Sequence, residues 1–219
     1  MPTDLPLFLL NTVLFPGAPI HLHIFEERYK RMIGTCLDEH QPFGVVLIRR
    51  GTEALGPLAE PHTVGCTAQI VNVQRLEQDR MNIVANGQER FRILSLDSRA
   101  FPYLLGSVQP FPIEIGDLPE VTRRSNRLRE QVTRLMQTQL RAAGHTPDLS
   151  RLPDDPVELA YLAASVLQIS VDQKQQLLQI VRAEDMIDRI QNIYRREQAL
   201  VEAILFHGDR ESGLPFSLN

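Results

Sequence analysis

The sequence is poor in the residues that mark several common classes of protein. It has no tryptophan and only two cysteines among 219 residues, so it contains neither a disulfide framework nor a Cys-x-x-Cys zinc motif. Cys36 and Cys66 lie on apolar stripes, which favours buried core thiols over nucleophiles. No apolar run approaches the roughly 20 residues that span a bilayer, and the apolar start lacks the basic region of a signal peptide. We therefore expect a cytoplasmic protein with reduced thiols.

Lysine is nearly absent. Of 23 basic residues, only Lys30 and Lys174 are lysines, and neither follows a glycine, which excludes a P-loop for nucleoside triphosphates. The sequence also lacks a Gly-x-Gly-x-x-Gly fingerprint and the Gly-x-Ser-x-Gly elbow of serine hydrolases. Ser170 and Lys174 have the spacing of a Ser-Lys dyad, but Ser170 is better explained as a helix N-cap. We expect no catalytic site, no cofactor and no metal.

The net charge of −4 is mild and argues against broad, non-specific binding to nucleic acid. One predicted helix nevertheless carries a row of arginines on the side away from its apolar stripe: Arg123, Arg127, Arg134 and Arg141. Such rows are usually solvated helix surface. Phosphate binding is the alternative use that the row leaves open.

The first half of the chain is rich in short runs of β-type alternation. From Val64 to Ile70 the larger apolar residues fall on even positions, whereas Val71 and Val73 continue on odd ones, which predicts a β-bulge. Residues 81–85 alternate up to Asn86-Gly87, which is a strong turn signal. Further runs follow at residues 91–93 and 103–108, so the pattern predicts an antiparallel meander.

One helix interrupts these strands. Apolar residues at helical spacing predict a helix from Glu26 to about Leu37, which Pro42 prevents from continuing. A strand is expected from Phe43 to Ile48. This half is therefore predicted to be a mostly β domain, residues 1–112, with one inserted helix.

After residue 112 the apolar period changes to 3.6, which predicts a bundle of about four helices over residues 113–206. The first helix has its stripe at Val121, Leu128, Val132 and Leu135. Asp155 and Ser170 are predicted N-caps of the second and third helices, the third containing Leu177, Leu178 and Val181. A last helix spans about 186–205. Residues 207–219 are predicted to be a tail.

His21 and His23 alternate within an apolar strand, so both side chains fall on the same face. Two histidines on one face could share a metal, but a site needs a third ligand, and the sequence does not place candidates such as His62 beside them. Solvent-facing strand histidines are the simpler interpretation. A metal or small-molecule site in the barrel remains an alternative hypothesis.

Several motifs occur together in a family-specific order. They are LPLFLLNTVLFPG at 5–17, LHIFEERY at 22–29, FGVV at 43–46, VGCTA at 64–68, GQERFRI at 87–93, PYL at 102–104, and DP at 155–156 through KQQLL at 174–178. In this order they closely resemble the amino-terminal substrate-binding domain of Lon proteases, and particularly its stand-alone bacterial relatives. The resemblance covers residues 5–206.

The resemblance implies an α+β fold, in which a PUA-like β pseudo-barrel with an inserted helix precedes a helical bundle. It implies recognition of unfolded or partly folded polypeptide, in the company of a protease or a chaperone. Neither the ATPase nor the Ser-Lys peptidase of full-length Lon is expected. The motif residues Phe25, Glu27, Arg28 and Arg31, at the turn from strand into helix, are the candidate polypeptide-binding residues. RNA binding is the alternative, since PUA-like folds also serve it, and the acidic net charge counts against it.

Overall fold

The structure is a computed structural model that describes residues 2–51, 59–142 and 152–211, with the backbone alone at the ends of the two longest helices. In the order of the chain, its elements are β1 (Thr3–Leu10), β2 (Pro19–Ile24), α1 (Glu27–Asp38), β3 (Phe43–Arg50), β4 (Glu60–Pro61), β5 (Val64–Arg75), β6 (Met81–Asp97), β7 (Leu104–Pro110), α2 (Leu118–Ala142), α3 (Pro156–Val166), α4 (Val171–Leu178) and α5 (Ala183–Glu211).

The strands form one sheet that closes into a barrel. Neighbouring strands follow the order β1-β7-β6-β5-β3-β4, and β1 also pairs with β3 in parallel, which closes the ring. Strand β2 pairs with the first part of β6. The expected α+β class is confirmed: a barrel with one inserted helix is followed by four helices in the described part of the chain.

Helix α1 packs on one end of the barrel because its apolar face matches the barrel core. Tyr29, Met32 and Ile33 are buried there together with residues of β1, β2, β5 and β6. The ring of Tyr29 stacks on that of Phe8 with centroids 3.9 Å apart and planes 8° from parallel. Burial of such aromatic faces fixes the direction in which the chain leaves β2.

The barrel and the bundle share a core. Phe15 and Val64 of the barrel are buried in the same cluster as the apolar stripes of α2, α3 and α5. The side-chain amide of Gln175 in α4 donates a hydrogen bond to the carbonyl of Val64 over 2.9 Å. The predicted boundary at residue 112 thus divides two units that pack tightly against each other, and it stays a prediction as a domain boundary.

The predicted bulge in β5 is confirmed, and the predicted turn at Asn86-Gly87 is wrong. The register of β5 against β6 shifts between Ile70 and Asn72. Strand β6, by contrast, runs without a break from Met81 to Asp97. Gly87 and Ala18 show the reason, since the Gly87 amide donates to the Ala18 carbonyl over 2.9 Å.

Gly87 is required by this close approach. A Cβ atom at residue 87 would lie 2.3 Å from the carbonyl oxygen of Phe15, whereas Gly34 in α1 has nothing within 4 Å of the same position. The strong local turn signal therefore reflects a place where another segment of backbone passes against the strand.

The helix ends follow the predicted capping residues. Asp155 accepts hydrogen bonds from the amides of Val157 and Glu158, and Ser170 with Gln173 forms a reciprocal capping box. Helix α4 ends at Leu178, so the prediction that this helix contains Val181 is wrong. Helix α5 reaches Glu211 and so includes the first part of the predicted tail. The side chains of Leu135 and Arg141, and residues 212–219, lie outside the described part.

None of the described helices is long and apolar enough to cross a membrane.

Replacing Gly87 with alanine tests the close approach. We expect Gly87→Ala to lower the free energy of unfolding by about 2 kcal/mol or more, because the new methyl group must displace backbone. The matched control, Gly34→Ala, should raise it by about 0.5–1 kcal/mol, because alanine favours a helix. Urea unfolding followed by circular dichroism measures both. Equal stability of the two variants would contradict the contact at Phe15.

Candidate functional site

A cleft of about 320 Å³ opens where β2 leads into α1. We call it the strand-helix cleft. Its walls come from three consecutive parts of the fold: Phe8 and Leu10 of β1, His21–Ile24 of β2, and the junction residues Phe25, Glu26 and Tyr29. The chain therefore places an open apolar surface at the strand-to-helix motif that the sequence identified.

The walls combine buried and exposed aromatic surface. Phe8 and Tyr29 are almost fully buried, whereas Phe25 is 47% exposed. The ring of Phe25 lies against that of His23, with centroids 5.9 Å apart. A large apolar side chain that is half-exposed beside a cleft is suited to contact a second molecule.

The charges beside the cleft are held in fixed positions. The guanidinium of Arg28 donates to the carboxylate of Glu26, with Nε and Nη2 at 3.0 and 2.9 Å from Oε2. The same guanidinium lies 4.7 Å from the centroid of the Tyr29 ring. The Glu26 carbonyl accepts the amides of Tyr29 and Lys30 and so starts α1. Glu26 and Arg28 thus form one rigid, charged corner of the cleft.

Glu27 and Lys30 tie α1 to the turn between β5 and β6. The Lys30 ammonium lies 2.8 Å from Glu27 Oε1 and 2.8 Å from the carbonyl of Gln78. Its hydrogen bond lowers the pKa of the Glu27 carboxyl below the ordinary value. The Glu27 side chain is nonetheless open to solvent.

The four predicted binding residues lie near each other but differ in position. Phe25 lines the strand-helix cleft, and Arg28 contacts it through Glu26. Glu27 and Arg31 are exposed on α1 and do not line the cleft. Phe25 therefore lies in the cleft wall and the three charged residues flank it, and a role of these four residues in binding stays a prediction.

His21 and His23 are exposed on β2, as expected for the face opposite the barrel core. His23 Nδ1 lies 2.7 Å from Oδ1 of Asn82 on the paired strand. In the part of the chain that the structure describes, no three His, Cys, Asp or Glu side chains are grouped as metal ligands.

The cleft separates two strands that are not paired with each other. Among the described residues, β2 pairs only with β6. Strand β1 pairs with β7 as far as Leu7 and with β3 from Leu7 to Leu10. One edge of β2 is thus unpaired along the cleft, and alternate residues of an edge strand present free backbone donors and acceptors.

The arginine row on α2 is partly neutralised by acids. Arg123 is exposed and bonded to Glu120. Arg127 lies in a polar groove that also contains Asp188 and Arg195. The described part of this face mixes both signs of charge and offers no continuous basic strip for a phosphate backbone.

A second cleft of about 450 Å³ lies at the joint between barrel and bundle. We call it the junction cleft. It is lined by Arg90 and by apolar side chains such as Phe111, Ile115 and Tyr161. Sequence reasoning did not identify it, because its walls come from strands and helices far apart in the chain.

Arg90 is the unusual residue of the junction cleft, since its side chain is 3% exposed. Its Nη1 donates to the carbonyls of Leu178 and Ile180 over 2.8 and 2.6 Å. Its guanidinium carbon lies 4.8 Å from the centroid of the Phe111 ring. Burial lowers the pKa of Arg90 below its ordinary value. Arg90 thus joins β6 of the barrel to the end of α4.

Solved structures of two proteins share this fold. One is a Lon N-terminal domain protein from Xanthomonas campestris, with a TM-score of 0.63 and 24% identity over 87% of this chain and 98% of that chain. The other is the N-terminal domain of Lon protease from the Mycobacterium avium complex, with a TM-score of 0.69 and 18% identity over 88% and 98%. The barrel and bundle are therefore of the Lon N-terminal domain class.

Sequence comparison gives the family. The model of the ATP-dependent protease La (LON) substrate-binding domain matches residues 4–196. This chain belongs to that family. It is 24% identical over 204 residues to the Lon protease of Anaeromyxobacter dehalogenans and to Lon protease 2 of Myxococcus xanthus. Each alignment covers 92% of this chain. The chain spans about a quarter of the length of these relatives.

Replacing Arg90 tests its role between barrel and bundle. We expect Arg90→Met to lower the free energy of unfolding by about 2–4 kcal/mol, since the carbonyls of Leu178 and Ile180 lose their donor while buried. Arg92 is the matched control, because it is exposed and lies 4.3 Å from the same Phe111 ring. Arg92→Met should cost less than about 1 kcal/mol. Chemical denaturation of both variants makes the comparison, and similar losses would refute the role of the carbonyl bonds.

The thiols should be unreactive in the folded chain. Burial raises the pKa of Cys36 to about 11 and that of Cys66 to about 12, so few thiolates exist at pH 8. We expect slow labelling of both by a thiol reagent at pH 8 and rapid labelling in denaturant. Because the unfolded thiols lose protons first, the free energy of unfolding should fall as the pH rises from about 9 towards 11 for Cys36 and towards 12 for Cys66. Rapid labelling of the native protein would contradict this placement.

Proposed function

We propose that this chain is a non-enzymatic module that binds extended, apolar segments of unfolded or partly folded polypeptides in the strand-helix cleft. The observation that carries the proposal is the combination of an apolar cleft with an unpaired edge of β2. The two features supply the two things that an extended peptide needs, namely backbone partners and pockets for alternate side chains.

Backbone pairing explains how such a module accepts many sequences. A peptide that lies along β2 forms hydrogen bonds through groups that every residue has, so these bonds do not depend on side chains. Apolar side chains on one face of the peptide enter the cleft beside Phe8 and Leu10, and their burial favours segments that a folded protein keeps inside.

Phe25 is the proposed anchor, and the three charged motif residues are the proposed rim. Arg28 holds Glu26 in place at one corner of the cleft. Glu27 and Arg31 are exposed on the next turns of α1, where they are available to charged residues of the bound segment. Rim charges of this kind adjust association rate and specificity more than affinity.

The wider role that we propose is that of an adaptor or regulator of proteolysis in the cytoplasm, with a protease or a chaperone as partner. The family description supports it, because the matched domain is the substrate-binding domain of an ATP-dependent protease. The matched relatives are themselves Lon proteases, of which this chain corresponds to about a quarter. In the proposed role this chain binds the polypeptide and the partner protease cleaves it.

Phe25 and Phe101 provide a matched test of the proposal. Both are phenylalanines on the barrel with nearly equal exposure, 47% and 46%, but Phe101 is stacked on Tyr103 and does not line the cleft. We expect Phe25→Ser to weaken binding of reduced, carboxymethylated α-lactalbumin about tenfold, because an aromatic anchor is lost. Phe101→Ser should leave the affinity unchanged. Fluorescence anisotropy of the labelled, permanently unfolded protein gives both dissociation constants.

The same assay distinguishes polypeptide from nucleic acid. Binding of the unfolded protein should change little between 50 and 200 mM salt, since apolar contacts and backbone hydrogen bonds dominate. A single-stranded RNA contacted through its phosphates would lose affinity steeply over that range. Tight RNA binding at physiological salt, with no binding of unfolded protein, would disprove the proposed function. Equal loss in the two phenylalanine variants would move the binding site away from the strand-helix cleft.

A further inference from the structure

Arg90 uses only one side of its guanidinium group within the chain. Nη1 is saturated by the two carbonyls at the end of α4. Nε and Nη2 are buried and have no hydrogen-bond partner among the described residues. A buried donor without a partner costs free energy. The two unbonded nitrogens, Nε and Nη2, therefore need an explanation.

The unoccupied side has the shape of a carboxylate receptor. Nε and Nη2 present two parallel N–H donors along one edge of the planar guanidinium, which is the fork that binds both oxygens of a carboxylate. Nη1, on the far side, is fixed by its bonds to Leu178 and Ile180. The fork is therefore held in one orientation by the fold.

The charge of Arg90 has no counter-charge among the described residues, where it forms no ion pair with a carboxylate. Two acidic residues line the same cleft, Glu89 and Asp155. The Asp155 carboxylate caps α3 by accepting the amides of Val157 and Glu158 over 2.8 and 2.9 Å. Glu89 is exposed to solvent. A buried cation in this setting favours the arrival of an anion from outside.

The rest of the junction cleft is suited to an apolar body. Phe111, Ile113, Ile115 and Val157 line it together with three prolines. Its volume of about 450 Å³ is within the range of sites for small ligands or a few peptide residues. Tyr161 and Phe111 lie within 6 Å of the guanidinium carbon. The junction cleft thus has apolar walls and a positive charge, that of Arg90, at one end.

We propose that the junction cleft binds a carboxylate attached to an apolar group, such as the end or an acidic side chain of an apolar peptide, through Nε and Nη2 of Arg90. This site is distinct from the strand-helix cleft and does not depend on it. Phe111 is half-buried and stacked on the guanidinium. Because Nε and Nη2 are buried, a side chain around them has to move for a carboxylate to reach the fork.

The probe is the peptide acetyl-Ala-Leu-Leu-Phe, compared as the free acid and as the amide by isothermal titration calorimetry at pH 7. We expect the acid to bind at least tenfold more tightly, because only a carboxylate fills the fork. A third peptide, acetyl-Leu-Leu-Glu-Phe-amide, determines whether an acidic side chain serves as well as a chain end. Glu89→Gln should strengthen binding of the acid severalfold, since it removes a negative charge from the cleft wall.

Two further variants avoid disturbing the fold. Ile115 is 49% exposed and lines the cleft, whereas Leu118 is 57% exposed and does not. Ile115→Glu should weaken binding of the acid peptide about tenfold and binding of the amide peptide less. Leu118→Glu should change neither affinity.

Equal affinity for all three peptides, or no binding of any of them, would overturn the proposal. Loss of acid binding in Phe25→Ser but not in Ile115→Glu would also overturn it, and would place the peptide in the strand-helix cleft. Loss in Ile115→Glu with Phe25→Ser unaffected supports the proposal, whatever the outcome for the proposed function.

Discussion

The burial of one unpaired cation, Arg90, is the interaction on which the relation of barrel and bundle depends. Removing a guanidinium from water costs free energy that hydrogen-bond acceptors offset, and here the carbonyls of Leu178 and Ile180 accept from Nη1. Those carbonyls follow directly from the end of α4, so the helix must stop at one position against β6. Phe15 and Val64 complete the contact from the barrel side. The hydrogen bonds of Arg90 therefore set the orientation of the bundle on the barrel, and burial of apolar side chains supplies most of the stability.

The barrel closes in a way that leaves one strand outside the ring. Because β1 pairs with β7 and β3, the first half of β6 has room for β2, and β2 gains no second neighbour among the described residues. Proteins usually protect such an edge with charges or by covering it. Here the histidines and the charged start of α1 flank the edge, while Phe25 stays half-exposed. The open edge and the exposed Phe25 are the two features on which the proposed binding of extended chains rests.

Local periodicity predicted most of the elements, because amphipathic faces, caps and the bulge in β5 are all encoded within a few residues. The failure at Asn86-Gly87 has a tertiary cause, since the glycine that resembles a turn residue is required by the backbone at Phe15. Val181 was misplaced for a smaller reason: the helix ends three residues earlier. Phe25 was identified from its motif, but Phe8 and Leu10, which line the same cleft, come from β1. Arg90 reads in the sequence as an ordinary polar strand residue, and its burial depends on α4, 88 residues away.

The position of β1 between β3 and β7 has a consequence for the chain during its synthesis. β1 is almost entirely apolar from Leu5 to Leu10 and is buried between β7 and β3, and β7 begins about a hundred residues later in the sequence. Until β7 has left the ribosome, β1 has one of its two neighbours at most, and pairing over such separations is slow. The nascent chain thus exposes an extended apolar segment of the type that we propose its finished fold binds.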